Sequence, residues 1–225
     1  MPRSRLDTQM ERLNNSLIDI GNTVQEAILL ATEALINKDI EKAEQVLELE
    51  KEVNQKEKDI EALCFKLMIQ QHPVASDFRF ISSALKMITD MERIGDHASD
   101  IATICMHIAN EPYIKNLDQI KKMSEAAIEM VKGSIDAFVT KDKALAKSVI
   151  KRDDEVDALF VSIKDDLYEL MIADANNGRQ ALDWLMIGKY YERIGDHAEN
   201  IAEWTVYSIT GQNKRDAAKQ KKASI

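Results

Sequence analysis

Glu192 and Asp196 stand four residues apart in the segment Glu-Arg-Ile-Gly-Asp-His-Ala, and the same seven residues occur at 92–98. Four residues is slightly more than one helical turn, so on a helix each Glu and Asp leave the same side. Two carboxylates so placed repel one another and weaken an isolated helix. A bound cation is their natural partner: hard oxygen donors suit Mg, Ca, Mn or Fe, and Zn is also admitted. A second set of polar pairs, Glu50 with Asn54 and Asp153 with Asp157, repeats the spacing earlier in each half. The competing reading is a solvated acidic face without a ligand, which is what a lone Glu-x-x-x-Asp suggests. Two such pairs in each of two halves favour metal. Asp100 adds an acid eight residues beyond Glu92, and its counterpart Asn200 is neutral. His97 and His197 fall at outward helix positions and are expected at the surface or facing a partner, not as ligands. The Glu-x-x-His spacing of buried di-iron bundles is missing at both places, which disfavours a redox di-iron enzyme.

The elements that position these acids follow from internal repetition. The two Glu-Arg-Ile-Gly-Asp-His-Ala copies lie 100 residues apart, whereas Ala34–Asp39 parallels Ala137–Asp142 at an offset of 103. The three-residue difference belongs in a loop, placed at His72–Asp77 against Ala175–Asn177. Lys38-Asp39 and Lys141-Asp142 mark a first turn in each half, with Asp39 and Asp142 as N-caps. Pro73 ends the second helix, Ser76 or Asp77 caps the third, and Asn177 with Gln180 has capping-box-like spacing. Glu111-Pro112 separates the halves. Each half is thus three helices of roughly 30 residues, about 45 Å long, joined up-down-up. The fold class expected is all-α: two tandem antiparallel three-helix bundles over residues 1–111 and 112–211, followed by a polar basic tail, 212–225.

Composition agrees with long helices. The 225 residues include 7 Gly and 3 Pro, 31% charged residues and 5% aromatics, too few turn formers for an all-β fold. Apolar residues keep a 3–4 spacing through Val46, Leu49, Val53, Ile60, Leu63 and Leu67, broken by Lys56, and again from Ile81 to Cys105. These stripes are read as core. Gly95 and Gly195 recur on the seam, where close helix approach outweighs the cost of about 1 kcal/mol for a helical Gly. Cys64 and Cys105 are read as reduced core thiols of a cytoplasmic protein. The formal charge of -9 argues against nucleic acid as a partner. Lys214, Arg215, Lys219, Lys221 and Lys222 make the tail basic.

With Val46 and Ile81 at heptad position a, Glu50 and Glu92 take position e while Asn54 and Asp96 take b. Asp153, Asp157, Glu192 and Asp196 repeat this in the second half. In an antiparallel hairpin the two e flanks adjoin, and the residue numbers place both polar pairs of each hairpin at one height. Arg93 and Lys51 point off the shared flank. Asn54 leaves the first site one charge poorer than the second.

The stretch Gln71-His-Pro-Val-Ala-Ser-Asp-Phe-Arg79, then Ser83–Asp96 and Tyr191–Glu203, closely resembles the signatures of the PhoU family, and the likeness runs from about Met10 to Gly211. The resemblance implies paired three-helix bundles without catalytic activity and metal clusters held by the Glu/Asp-x-x-x-Asp motifs. It also implies restraint of phosphate uptake and of phosphate-starvation signalling. The contacts it implies are the ATPase of the phosphate ABC transporter, in many bacteria a sensor histidine kinase, and a second copy in a homodimer. Membrane association would then be indirect, through the transporter. A metal-dependent hydrolase and a plain helical scaffold are the alternative readings.

Overall fold

The structure, a computed structural model, describes residues 2–70, 73–115 and 118–212. The basic residues of the tail lie outside these. Among the described residues six α-helices follow in order: α1 Pro2–Asn37, α2 Ile40–Gln70, α3 Ala75–Ile108, α4 Asp118–Thr140, α5 Lys143–Ala173 and α6 Gly178–Thr210, with a 3₁₀ turn at Ala175–Asn177. The first three pack as one antiparallel bundle and the last three as another. The two bundles join along α3 and α6, and along α1 and α4.

The first turn of each bundle forms as its residues dictate. Lys38 and Lys141 take left-handed φ angles of 57° and 56°, which stop the preceding helix. Asp142 then accepts from the amides of Ala144 and Leu145 at 2.8 and 3.0 Å, and Asp39 accepts from the Lys42 amide at 3.1 Å. The second turns differ from expectation. The N-cap of α3 is Val74, with no side-chain bond, so neither Ser76 nor Asp77 caps it. Asn177 does stand at the N-cap of α6, but its side chain makes no capping bond; the side-chain amide donates to the Leu170 carbonyl at 3.0 Å and closes the end of α5 instead. Gln180 is drawn away from any capping box by the linker between the bundles, where it donates to the Pro112 carbonyl and accepts from the Ile114 amide.

The apolar stripes are core: Val46, Val53, Ile60 and Leu67 on α2 and Ile81 through Cys105 on α3 are buried, with Leu49 half-buried. Lys56, which interrupts the α2 stripe, reaches Asp19 of α1 at 2.7 Å and the Thr23 hydroxyl at 2.8 Å. Cys64 and Cys105 are separate buried thiols, pushed by burial up to about 12 and about 11. Where α1 meets α4, Gly21 leaves no room for a Cβ beneath Ile135.

A polar knot ties the bundles at the centre. The Thr32 hydroxyl lies 2.7 Å from the Ile28 carbonyl, from Ser124 Oγ and from Tyr191 Oη. A hydroxyl has one proton, and the carbonyl can only accept; Thr32 therefore donates to Ile28, while Ser124 and Tyr191 donate to Thr32. Tyr191→Phe deletes one donor and leaves Thr32 partnered. It is expected to cost about 1 kcal/mol, a fall of about 2–4 °C in thermal melting.

Candidate metal centres

Asp153 of α5 lies against α6 where that helix has no side chain: a Cβ built on Gly195 would be 3.2 Å from Asp153 Oδ1. The absent side chain of Gly195 therefore lets a carboxylate sit between Glu192 and Asp196. Asp153 Oδ1 is buried and has no hydrogen-bond partner among the described residues. Burial, then the negative charges of Glu199, Asp196, Asp157 and Glu192, push the Asp153 carboxyl up to about 7. Asp196 is raised as well, by burial and by Glu192, against the opposing charge of Lys189. Lys189 forms an ion pair with Glu192. All four acids expected in this half thus share one local field, joined by Glu199.

The first bundle repeats the geometry with different residues. A Cβ on Gly95 would meet Val53 Cγ1 at 3.2 Å, so α2 and α3 approach as closely as α5 and α6. Burial, then Asp96, Glu57 and Glu50, raise the Glu92 carboxyl, while Arg93 opposes them. The Asn54 amide donates to Glu50, and its own Oδ1 is buried without a partner among the described residues. Arg93 departs from expectation. Its guanidinium returns to the flank and reaches Asp96 at 3.2 Å and Glu92 at 3.4 Å. A heptad position fixes where a Cβ points, and an Arg side chain is long enough to turn back. Lys51 does face away, towards Glu48 at 2.8 Å.

Glu57 and Glu199 are the acids that the pairwise spacing missed. Each stands seven residues beyond the first member of its stripe, Glu50 or Glu192. Seven residues at about 100° each return to within roughly 20° of the starting face, so an i, i+4, i+7 search would have found both. The same arithmetic accounts for Asp100, which the structure does not place in the first field. Eight residues from Glu92 is a swing of roughly 80°, and this carries Asp100 to the seam between the bundles. There its Oδ2 is 3.5 Å from His97 Nδ1.

His97 and His197 are in that seam too, which corrects their expected place at the surface. His97 is 9% exposed and stacks on Tyr190 at 5.4 Å and beside His197 at 5.6 Å between ring centres. His197 Nδ1 meets Asp90 of α3 at 2.9 Å. These contacts show α3 and α6 running antiparallel. The positions are outward for one bundle and inward for the pair, because the second bundle supplies the covering face.

Among the described residues no three His, Cys, Asp or Glu side chains stand disposed to hold a metal ion. Glu92 and Asp96 are instead paired with Arg93 in the first bundle, and Glu192 with Lys189 in the second. The donor chemistry nevertheless fits a hard cation. Each site offers several oxygens on one open flank, and one buried oxygen in each, on Asn54 and Asp153, has no partner. Glu50, Asn54, Glu57, Glu92 and Asp96 would be the donors of the first site. Asp153, Asp157, Glu192, Asp196 and Glu199 would be those of the second.

A family model described as the PhoU domain matches residues 17–105 and again 120–205. A phosphate-specific transport system accessory protein PhoU homolog of Aquifex aeolicus is 37% identical over 92% of this chain and 94% of its own. The homolog of Clostridium acetobutylicum is 35% identical over 94% and 97%. The crystal structure of PhoU from Pseudomonas aeruginosa superposes with a TM-score of 0.88 at 32% identity, covering 92% of this chain and 99% of that one. PhoU from Streptococcus pneumoniae, a phosphate transport system regulatory protein, gives 0.85 at 28% identity. Two domain matches, full-length relatives and two superposed structures agree on one conclusion: the chain belongs to the PhoU family.

Proposed function

We propose that this chain is a non-enzymatic regulator of phosphate uptake and phosphate-starvation signalling that works by protein contact. The observation that supports it is the full-length kinship with proteins named as accessory to the phosphate-specific transport system. The contacts proposed are the ATPase of a phosphate ABC transporter, a sensor histidine kinase and a second copy of the chain, all in the cytoplasm. No helix of the described residues is long and apolar enough to cross a membrane, so engagement of the transporter falls to the surface of the bundles. Both acid sites are read as holding di- or trivalent ions, which offset the mutual repulsion of their carboxylates. Their place on open helix flanks suits a structural or signalling ion better than a hydrolase, whose metal needs an enclosed substrate site.

Affinity capture of the transporter ATPase with the full chain tests the central statement. Retention by the wild type in one phosphate regime and its release in the other is expected. Absence of binding in both regimes would defeat the reading.

A further inference from the structure

Steps of four and three residues along α2, from Glu44 to Ile69, meet only exposed side chains. The same steps along α5, from Lys147 to Ile172 at the repeat offset of 103, do likewise. Such steps trace one straight line down a helix, the line along which a second helix packs. Within the chain α2 packs on α1 and α3, and α5 on α4 and α6. The two stripes therefore look outward from opposite sides of the joined α3 and α6.

Equivalent positions of the two stripes carry opposite charge. Glu44, Glu48 and Lys51 of α2 stand where α5 has Lys147, Lys151 and Asp154. The far ends are apolar in both: Ile69 is 72% exposed and Ile172 64%, with Phe65 and Tyr168 about half exposed one turn earlier. Between charge and apolar end, Gln55, Lys58 and Ala62 match Ala158, Val161 and Asp165 without a like-charge pair. This pattern selects one pairing. Laid parallel on a copy of itself, the α2 stripe sets Glu44 and Glu48 against their own kind, and the α5 stripe does the same with Lys147 and Lys151. Laid antiparallel, in any combination, charged residues fall against the apolar ends; α2 on α5 would put Phe65 and Ile69 against Lys151 and Lys147. Parallel α2 on α5 alone opposes unlike charges and joins apolar to apolar. On the rims of that seam Asp59 faces Asp157, Glu61 faces Glu169 and Lys66 faces Lys164, in solvent, where such pairs count for little beside the covered centre.

We propose that the outward stripe of α2 in one copy docks on the outward stripe of α5 in a second copy, parallel and in repeat register. This gives the second copy proposed above its surface, and rests on that reading. The two partners present different patches, so the contact is heterologous: a docked pair keeps one free stripe of each kind, and further copies can add. A single helix pair buries less than the roughly 1,200 Å² of a stable interface, so the association is weak and reversible.

Sedimentation velocity of the full-length protein, from about 10 µM to about 1 mM, tests it. Association that grows with concentration and weakens as salt is raised is expected. Glu44→Lys with Glu48→Lys should weaken it by about tenfold or more, and so should Lys147→Glu with Lys151→Glu. An equimolar mixture of these two variants should associate as the wild type does, because the unchanged stripe of each then meets its complement. Ile69→Ser, at the apolar end, should weaken association by about fivefold. All five positions are exposed, and circular dichroism confirms that the variants fold. Association indifferent to both charge reversals would overturn the stripe contact and leave the second copy bound elsewhere. A mixture that fails to recover would overturn it too, since the charges would then act through the overall field and not by pairing. A monomer at every concentration would overturn the second copy itself.

Discussion

Asp153→Asn is expected to raise the melting temperature of the chelator-treated protein by about 3–6 °C at pH 8 and to change it little at pH 4. Asp153 sits over Gly195 with one buried oxygen unpartnered and four acids acting on it, so its folded carboxyl is pushed from 3.8 up to about 7. The sign follows from proton binding. Between those two values the folded state holds a proton that the unfolded state has released, so stability falls as pH rises through that window. Below 3.8 both states are protonated and the cost vanishes; above about 7 it is present in full. A rise of this size would correspond to about 4 kcal/mol for an enclosed group. Asp153 is only half-buried, and solvent screening reduces this to about 1–2 kcal/mol. Asn keeps the shape and never ionises.

The same variant separates a metal site from a bare acidic face. If a cation normally compensates these carboxylates, adding Mn or Mg should raise the melting temperature of the wild type through binding to the folded state. The gain should shrink in Asp153→Asn and shrink further in Asp196→Ala, to what the first site alone contributes. An Asn substitution that stabilises equally at pH 4 and pH 8 would show that charge repulsion is not what Asp153 contributes. A wild type unmoved by metal would sink the site itself.

How far the sequence carries can be judged from particular residues. The meeting of Asp153 with Glu192 and Asp196 follows from a heptad flank and an antiparallel turn, since local periodicity and chain reversal fix both the side and the height of a residue. Gly95 and Gly195 were legible for the same reason, as interruptions that only close packing justifies. What escaped is non-local or lies in side-chain reach. His97 and His197 are polar and outward within their own bundles, and nothing in either helix says that a second bundle will cover them. Arg93 returns to Glu92 and Asp96 by side-chain torsions that a helical wheel does not contain. Asn177 and Gln180 satisfy capping spacing, yet the Leu170 carbonyl and the linker compete for them and win. The first site stays one charge the poorer: Glu57 makes up for the acid lost at Asn54, where the second bundle has Phe160, but Glu199 of the second site is matched in the first by Ser99.

Trp184→Ala is expected to cost about 3–5 kcal/mol, a fall of roughly 10 °C or more in melting temperature. Trp184 is fully buried in α6 and stands edge-on to Tyr113 of the linker, with ring centres 5.0 Å apart. Its indole N–H donates to Gln180 Oε1 at 3.3 Å, and that oxygen also accepts from the Ile114 amide at 2.7 Å. Tyr113 in turn donates to the Leu35 carbonyl at 2.9 Å and lies beneath the Lys38 ammonium. One indole therefore holds the linker between the end of α1 and the start of α6, and removing it opens a cavity where the two bundles are joined. Trp184→Phe keeps one ring against Tyr113 and loses the N–H and part of the indole volume, so it should cost less than Trp184→Ala. The acid sites lie within single hairpins, α2–α3 and α5–α6, and not across the joint. Elemental analysis of Trp184→Ala should accordingly find the wild-type metal content at a temperature where the variant is folded. Loss of metal together with stability would mean that the sites depend on how the bundles are set against each other, and that the hairpins do not position the carboxylates by themselves.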